Sequence, residues 1–278
     1  MRTPTVKVGY GASSSIRRIV SHRPHGAETG PSQMFQLHGM DLEANALPYE
    51  PERGNDDLYK RCGMMPIRSS KIKLTKLKSG EVHRGPICVT AGDTPVEIRS
   101  DAQEPATIDA GDGPGIVICD RGEVRICNLR IIGTGREHNQ ACGIRIEASA
   151  ERQYHNILVD RLDVSGFGEH GLLIHSTKGN SGFKNIRVTN VVSHHNGRSG
   201  ITIGTDAYPA TPHEDVYVGR CAAYWNPGIP GQKTHTGSGI AIDGFRRGTI
   251  EYCEAYENGA LCDATESGGP VGIWAYKL

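Results

Sequence analysis

The sequence predicts an all-β chain: a single-stranded, right-handed parallel β-helix of about six rungs, with a poorly ordered N-terminal segment ahead of it. Three observations predict this. A strand-like pattern recurs with a period of about 30 residues. Equivalent residues of successive copies are aliphatic and form columns. Glycine is abundant, at 36 residues, while aromatics make up only 6%, which suits many turns around a narrow aliphatic core.

Residues 1–75 carry no repeat and are rich in turn-forming and charged stretches such as Leu47–Gly54, so they read as a loosely ordered segment or irregular cap. Within them, Ser15–Val20 reads as a short helix. A strand–turn pattern begins near Leu77–Ile87, as a first partial rung. A loose copy follows at Val96–Ile98 with Gly115–Ile118. Five clearer copies come next. Val124–Ile131 leads to Gly143–Ile146, Ile157–Val164 to Gly171–Ile174, and Ile186–Ser193 to Gly200–Ile203. Val216–Ala223 leads to Gly239–Ile242, and Gly248–Ala255 to Gly272–Ala275.

Ile126, Val159, Val188, Val218 and Ile250 fall in one column, and Leu129, Leu162, Val191, Cys221 and Cys253 in another. One rung cannot bury its own apolar face, whereas a stack buries a continuous core. Parallel crossovers are almost always right-handed, which sets the expected hand. The β-helix is expected over 76–278. The sequence stops two residues after its last strand, so Ile273 and Trp274 are expected on an open rung prone to self-association.

Asn196, Asn226 and Asn258 also align beside glycines and read as a structural ladder at a left-handed turn. Cys221 and Cys253 read as free thiols filling the core, since strands about 4.8 Å apart hold the β-carbons too far apart for a disulfide. Formal net charge is zero and no long basic run occurs, which argues against nucleic acid as a partner. No stretch is long and apolar enough for a membrane span.

Ile108–Gly113, Val124–Gly133, Val164–Gly168, Ser181–Asn190, His195–Ile201 and Gly268–Trp274 together resemble the bacterial right-handed parallel β-helix repeat proteins of the pectate-lyase-like superfamily. The resemblance covers about two thirds of the chain, from Glu81 to Tyr276. It implies the pectin lyase fold and an acidic polysaccharide as partner, acted on by a lyase, hydrolase or epimerase. It also implies a secreted or cell-surface location, although Met1–Tyr10 lacks the apolar core of a secretion signal. Calcium enters by this analogy alone; the residues call for no cofactor, because no acidic cluster dense enough to cage the ion is visible. Thr211–Asp215 is similar to the Asp-Pro-His-Asp motif of alginate epimerases, with Thr211 for the first aspartate and Glu214 inserted.

Alternation places Arg145/Glu147, Leu173/His175, Thr202/Gly204, Ala241/Asp243 and Trp274/Tyr276 on the outside of the second strand set, one pair per rung. The candidate catalytic residues are therefore His175, Glu147, Arg145 and Asp243. Glu147 would orient His175 as a general base, and Arg145 would offset a substrate carboxylate. Trp274 and Tyr276 would stack on a sugar ring, as would a second column holding His194, Tyr224 and Tyr256. The expected function is binding or processing of an acidic polysaccharide. The alternatives are a non-catalytic carbohydrate-binding or cell-surface module, and a truncated product without function.

Overall fold

The computed structural model describes residues 72–266 and 269–276 and the backbone of Ser14–Val20. All regular structure among the described residues is β, wound into a parallel solenoid of about seven turns. After β1 (Ser14–Val20), the first two turns hold β2 (Lys73–Leu77), β3 (Val82–Arg84) and β4 (Ile87–Val89), then β5 (Val96–Ser100), β6 (Ala106–Gly111) and β7 (Ile116–Cys119). The stretch read as a partial rung is thus a full one. There follow β8 (Val124–Gly133) with β9 (Ile144–Ala148), β10 (Gln153–Ser165) with β11 (His170–Ser176), and β12 (Gly182–His194) with β13 (Ser199–Thr205). The last turns are β14 (Glu214–Gly219), β15 (Ala222–Tyr224) and β16 (Ser238–Ile242), then β17 (Gly248–Tyr256) and β18 (Ile273–Ala275).

The strands stack into two sheets. The first, of 11 strands, runs from β2 through β5, β8, β10, β12, β14 and β17 to β1; the second, of seven, runs from β4 to β18 through β7, β9, β11, β13 and β16. Both expected columns are in register. Val159 faces Ile126 and Val188, Val218 faces Val188 and Ile250, and Leu162 faces Leu129 and Val191. The members of both columns are buried, with inward aliphatic residues of the other rungs, in one continuous core. Each such side chain contributes about 1.5–3 kcal/mol.

Strict alternation is broken by left-handed residues, one of which recurs at the same place in five successive rungs. Asn128, Arg161, Asn190, Arg220 and Tyr252 all have φ between 52° and 58°. This left-handed residue puts the inward positions on its two sides three apart, as at Ile126 and Leu129. β1 follows the register of these strands. Ser15–Val20 is a strand, not the expected helix, and pairs parallel with β17: Ile16 faces Ile250 and Ile19 faces Cys253, with Arg18 skipped. Its three-residue apolar spacing belongs to the solenoid. The first sheet therefore continues past the last rung through β1, whereas β18, which carries Ile273 and Trp274, is the terminal strand of the second sheet among the described residues.

The asparagine ladder is present. Asn226 Oδ1 accepts from the Asn196 N–H (3.0 Å), and Asn258 Oδ1 accepts from the Asn226 N–H (3.1 Å) and Nδ2 (2.9 Å). The left-handed residues at this turn are instead their predecessors, His195, Trp225 and Glu257. The side chains, not the backbone of the asparagines, meet the need. Cys221 and Cys253 are free thiols, as expected.

Candidate functional site

The outer face of the second sheet carries a row of polar residues from successive rungs. Register places Cys119, Glu147, His175 and Gly204 side by side. Asp243 comes next, its N–H on the Ile203 carbonyl (2.8 Å), and Tyr276 follows, its N–H on the Ile242 carbonyl (2.8 Å). The parallel row holds Arg145, Leu173, Thr202, Ala241 and Trp274. At about 4.8 Å per rung, Arg145 and Trp274 stand about 19 Å apart, the length of a few sugar rings.

The centre of the row is built around Gly204. A β-carbon there would lie 3.0 Å from Asp243 Oδ1, so the Asp243 side chain leans into the gap that glycine leaves. Oδ1 also accepts the Thr205 N–H (3.1 Å). Burial pushes the Asp243 carboxyl up to about 6, with the negative charge of Asp206 adding and the Thr205 bond opposing. Asp206 is placed by its own N–H on the Ser176 carbonyl (3.0 Å). Its carboxylate, largely exposed, reaches His175 Nε2 at 3.2 Å. His175 is mostly covered, and its Nδ1 points inward without a hydrogen-bond partner.

His175, Asp206 and Asp243 are thus brought together, but Glu147 plays another part than expected. Its carboxylate closes on Arg145 of the same strand, through Nε (2.9 Å) and Nη2. That bond holds the guanidinium firmly in its charged form. Although Glu147 faces His175 in register, the group on the imidazole is Asp206. At the far end Trp274 and Tyr276 stack with centroids 5.7 Å apart and planes 11° apart, and His235 meets the Trp274 ring edge-on. A hydrogen bond with the exposed Tyr208 raises the Tyr276 phenol and keeps it protonated. Asp206 and Tyr208, missed in the sequence, both belong to the loop after β13.

Thr211–Asp215 is scaffold. His213 is fully buried, taking the Phe183 N–H at Nδ1 (3.3 Å) and bonding the Gly204 carbonyl through Nε2 (2.8 Å). Burial lowers its imidazole to about 4, so it stays neutral and holds the floor beneath the gap. Glu214 and Asp215 are tied to Arg247, and Glu214 also to Arg246 and Lys184.

The second expected column lies on the first sheet. The rings of His194, Tyr224 and Tyr256 are parallel, with centroids 5.0 and 4.8 Å apart and planes within 5°. Stacking of this kind covers the shared ring faces and leaves the edges outward. The exposed Trp225 and His195 flank the column, edge-on to Tyr224 and His194. Asp163 accepts from His194 Nε2 (3.1 Å), which lowers its carboxyl, and Arg130 stands 3.5 Å away.

Among the described residues no three His, Cys, Asp or Glu side chains are grouped to hold a metal ion, and no helix is long and apolar enough to cross a membrane. Comparison of the chain with protein-family models, curated proteins and solved structures finds no match, so the parallel β-solenoid is the level at which the chain is classified.

Proposed function

We propose that this solenoid binds and cleaves an acidic polysaccharide along the outer face of its second sheet, with Asp243, Asp206 and His175 as the reacting centre. One observation carries the reading: two carboxyls share a site, one half-buried and protonated up to about pH 6, the other exposed and held by an imidazole. Environments that separate the roles of neighbouring carboxyls in this way assign the acid and the base. Asp243 would deliver its proton to the departing glycosidic oxygen. Asp206, oriented by His175, would take a proton from water in hydrolysis, or from the carbon beside the uronic carboxylate in elimination. The neutralised Arg145–Glu147 pair and the Trp274–Tyr276 stack would hold sugar units on either side. The solenoid fold is compatible with polysaccharide-related proteins, and the resemblance to pectate-lyase-like solenoids points to uronic-acid polymers.

The test is incubation with a panel of acidic and neutral polysaccharides, reading ultraviolet absorbance of unsaturated products and release of reducing ends. Absorbance signals elimination; reducing ends without it signal hydrolysis. Asp243→Asn and Asp206→Asn should each abolish turnover in a folded chain. Turnover unchanged in both variants would move the site elsewhere. A second reading, binding without chemistry, draws on the exposed Trp225 and the Trp274–Tyr276 stack. Saturable binding with no product from any polymer would favour it.

A further inference from the structure

The loop that follows β13 does more than supply Asp206. Its two ends are pinned. Thr205 and Pro212 close around Gly244, where a β-carbon would lie 2.5 Å from Thr205 Cγ2 and 3.5 Å from Pro212 Cδ. Next to them the His213 N–H is bonded to the Gly244 carbonyl (3.0 Å), and His213 Nε2 to the Gly204 carbonyl (2.8 Å). The Asp206 N–H is tied to the Ser176 carbonyl (3.0 Å), and the Ala210 N–H to the Ala207 carbonyl (2.8 Å). One shoulder rests on Gly179, where a β-carbon would come within 2.9 Å of Ala210 Cβ. The tip is Tyr208. It is 71% exposed, and its phenol is hydrogen-bonded to that of Tyr276.

These contacts make the loop a strap. Ser176 belongs to β11 and Tyr276 follows β18, so the contacts of residues 206–208 reach from one rung to another three rungs on, roughly 14 Å at 4.8 Å each. Asp243, directly after β16, stands on a rung between them, with the Thr205 N–H on its Oδ1 (3.1 Å). It faces outward and is nevertheless half-buried. One loop thus joins the carboxylate beside His175 to the Trp274–Tyr276 stack and passes Asp243 on the way. We propose that Tyr208 is a positioning residue: its bond to Tyr276 latches residues 206–212 across Asp243, which keeps water from that carboxyl and holds Asp206 opposite it. The latch links binding to chemistry, because a sugar stacked on Trp274 meets Tyr276, and Tyr276 reaches the two carboxyls through Tyr208. That link rests on the reading of Asp243 and Asp206 as acid and base; the latch itself does not.

Tyr208→Phe and Tyr276→Phe each remove one hydroxyl and keep the ring. Burial raises the Asp243 carboxyl to about 6, so its titration by carbon-13 NMR in the ligand-free protein reports the cover directly. The titratable groups facing it along the row and from the strap are His175, Asp206, Tyr208 and Tyr276, with neutral His213 beneath. Neither variant changes a charge among them at neutral pH. Each should lower the Asp243 midpoint, cutting its proton affinity about threefold or more, and the double variant should do no more than either alone. On a polymer that is turned over, Tyr208→Phe should lower kcat about tenfold with KM changed less than about twofold, the pattern of lost positioning rather than lost binding. Two results would overturn the proposal. One is an Asp243 midpoint unchanged in both variants while circular dichroism shows the fold intact. The other is additive effects in the double variant. A shifted midpoint in a protein that turns over no polymer would keep the latch and remove the catalytic reading of Asp206 and Asp243.

Discussion

The Asp243 carboxyl occupies the space that a side chain at position 204 would fill, and Gly204 is what lets two rungs of the second sheet share one acidic group. Gly204→Ala should therefore displace Asp243 from the Thr205 N–H. The expected cost is about 1–2 kcal/mol of stability, by urea titration, for a crowded but surface-facing site. The loss in kcat/KM, on whichever polymer is turned over, should be tenfold or more, since about 1.4 kcal/mol of lost positioning already amounts to that. An alanine variant with full activity would mean that Asp243 does not act from this position.

The same carboxyl ties stability to pH. Its folded value, about 6, lies above the ordinary 3.8, so the folded state holds the proton more tightly than the unfolded one. Its contribution is fully present below about pH 4 and is lost as pH rises through about 6. Asp243→Asn should flatten that part of the curve and be more stable than the parent at neutral pH, by on the order of 2–3 kcal/mol. Melting temperatures of the two proteins across the range check it, and parallel curves would count against a buried, protonated Asp243.

The asparagine ladder should be the most sensitive polar element. Asn226 accepts from Asn196, donates to Asn258 and bonds the Ser193 carbonyl at 3.2 Å, all without solvent. Asn226→Ala leaves several buried groups unpaired and should cost on the order of 3 kcal/mol or more by denaturant unfolding. Asn128→Ala, at an exposed hydrogen-bonding site, should cost clearly less. Equal losses would mean that the ladder adds nothing beyond an ordinary turn.

Deletion of residues 1–20 should expose the β17 edge that β1 covers. Unpaired strand edges recruit other chains. Light scattering should show concentration-dependent association of the deleted protein and less of the full chain. Equal behaviour of the two would leave β1 without a protective role.

Most of the fold was legible because stacking repeats its demands. Ile126, Val159, Val188, Val218 and Ile250 face the same neighbours, so the same residue type recurs at each period. The left-handed position was not legible, since Asn128, Arg161, Asn190, Arg220 and Tyr252 share a backbone shape and no side-chain chemistry. That omission turned β1 into an apparent helix. The candidate site was half legible. Alternation found His175 and Asp243, but Asp206 lies in a loop beyond the repeat, where no column marks it. The choice of Glu147 between His175 and Arg145 depended on side-chain reach along one strand, which register alone does not decide.

The pairing of β1 with β17 has a kinetic consequence. Successive rungs join partners about 30 residues apart, whereas Ile16 and Ile250 lie about 230 residues apart. Closing the larger loop costs about 2 kcal/mol more in chain entropy, and its template, β17, is synthesised about 230 residues after β1. β1 therefore waits for its partner while every rung between them is made. While it waits it is an unpaired strand carrying the solenoid's own pattern, free to pair with the growing edge of each new rung or with a neighbouring nascent chain.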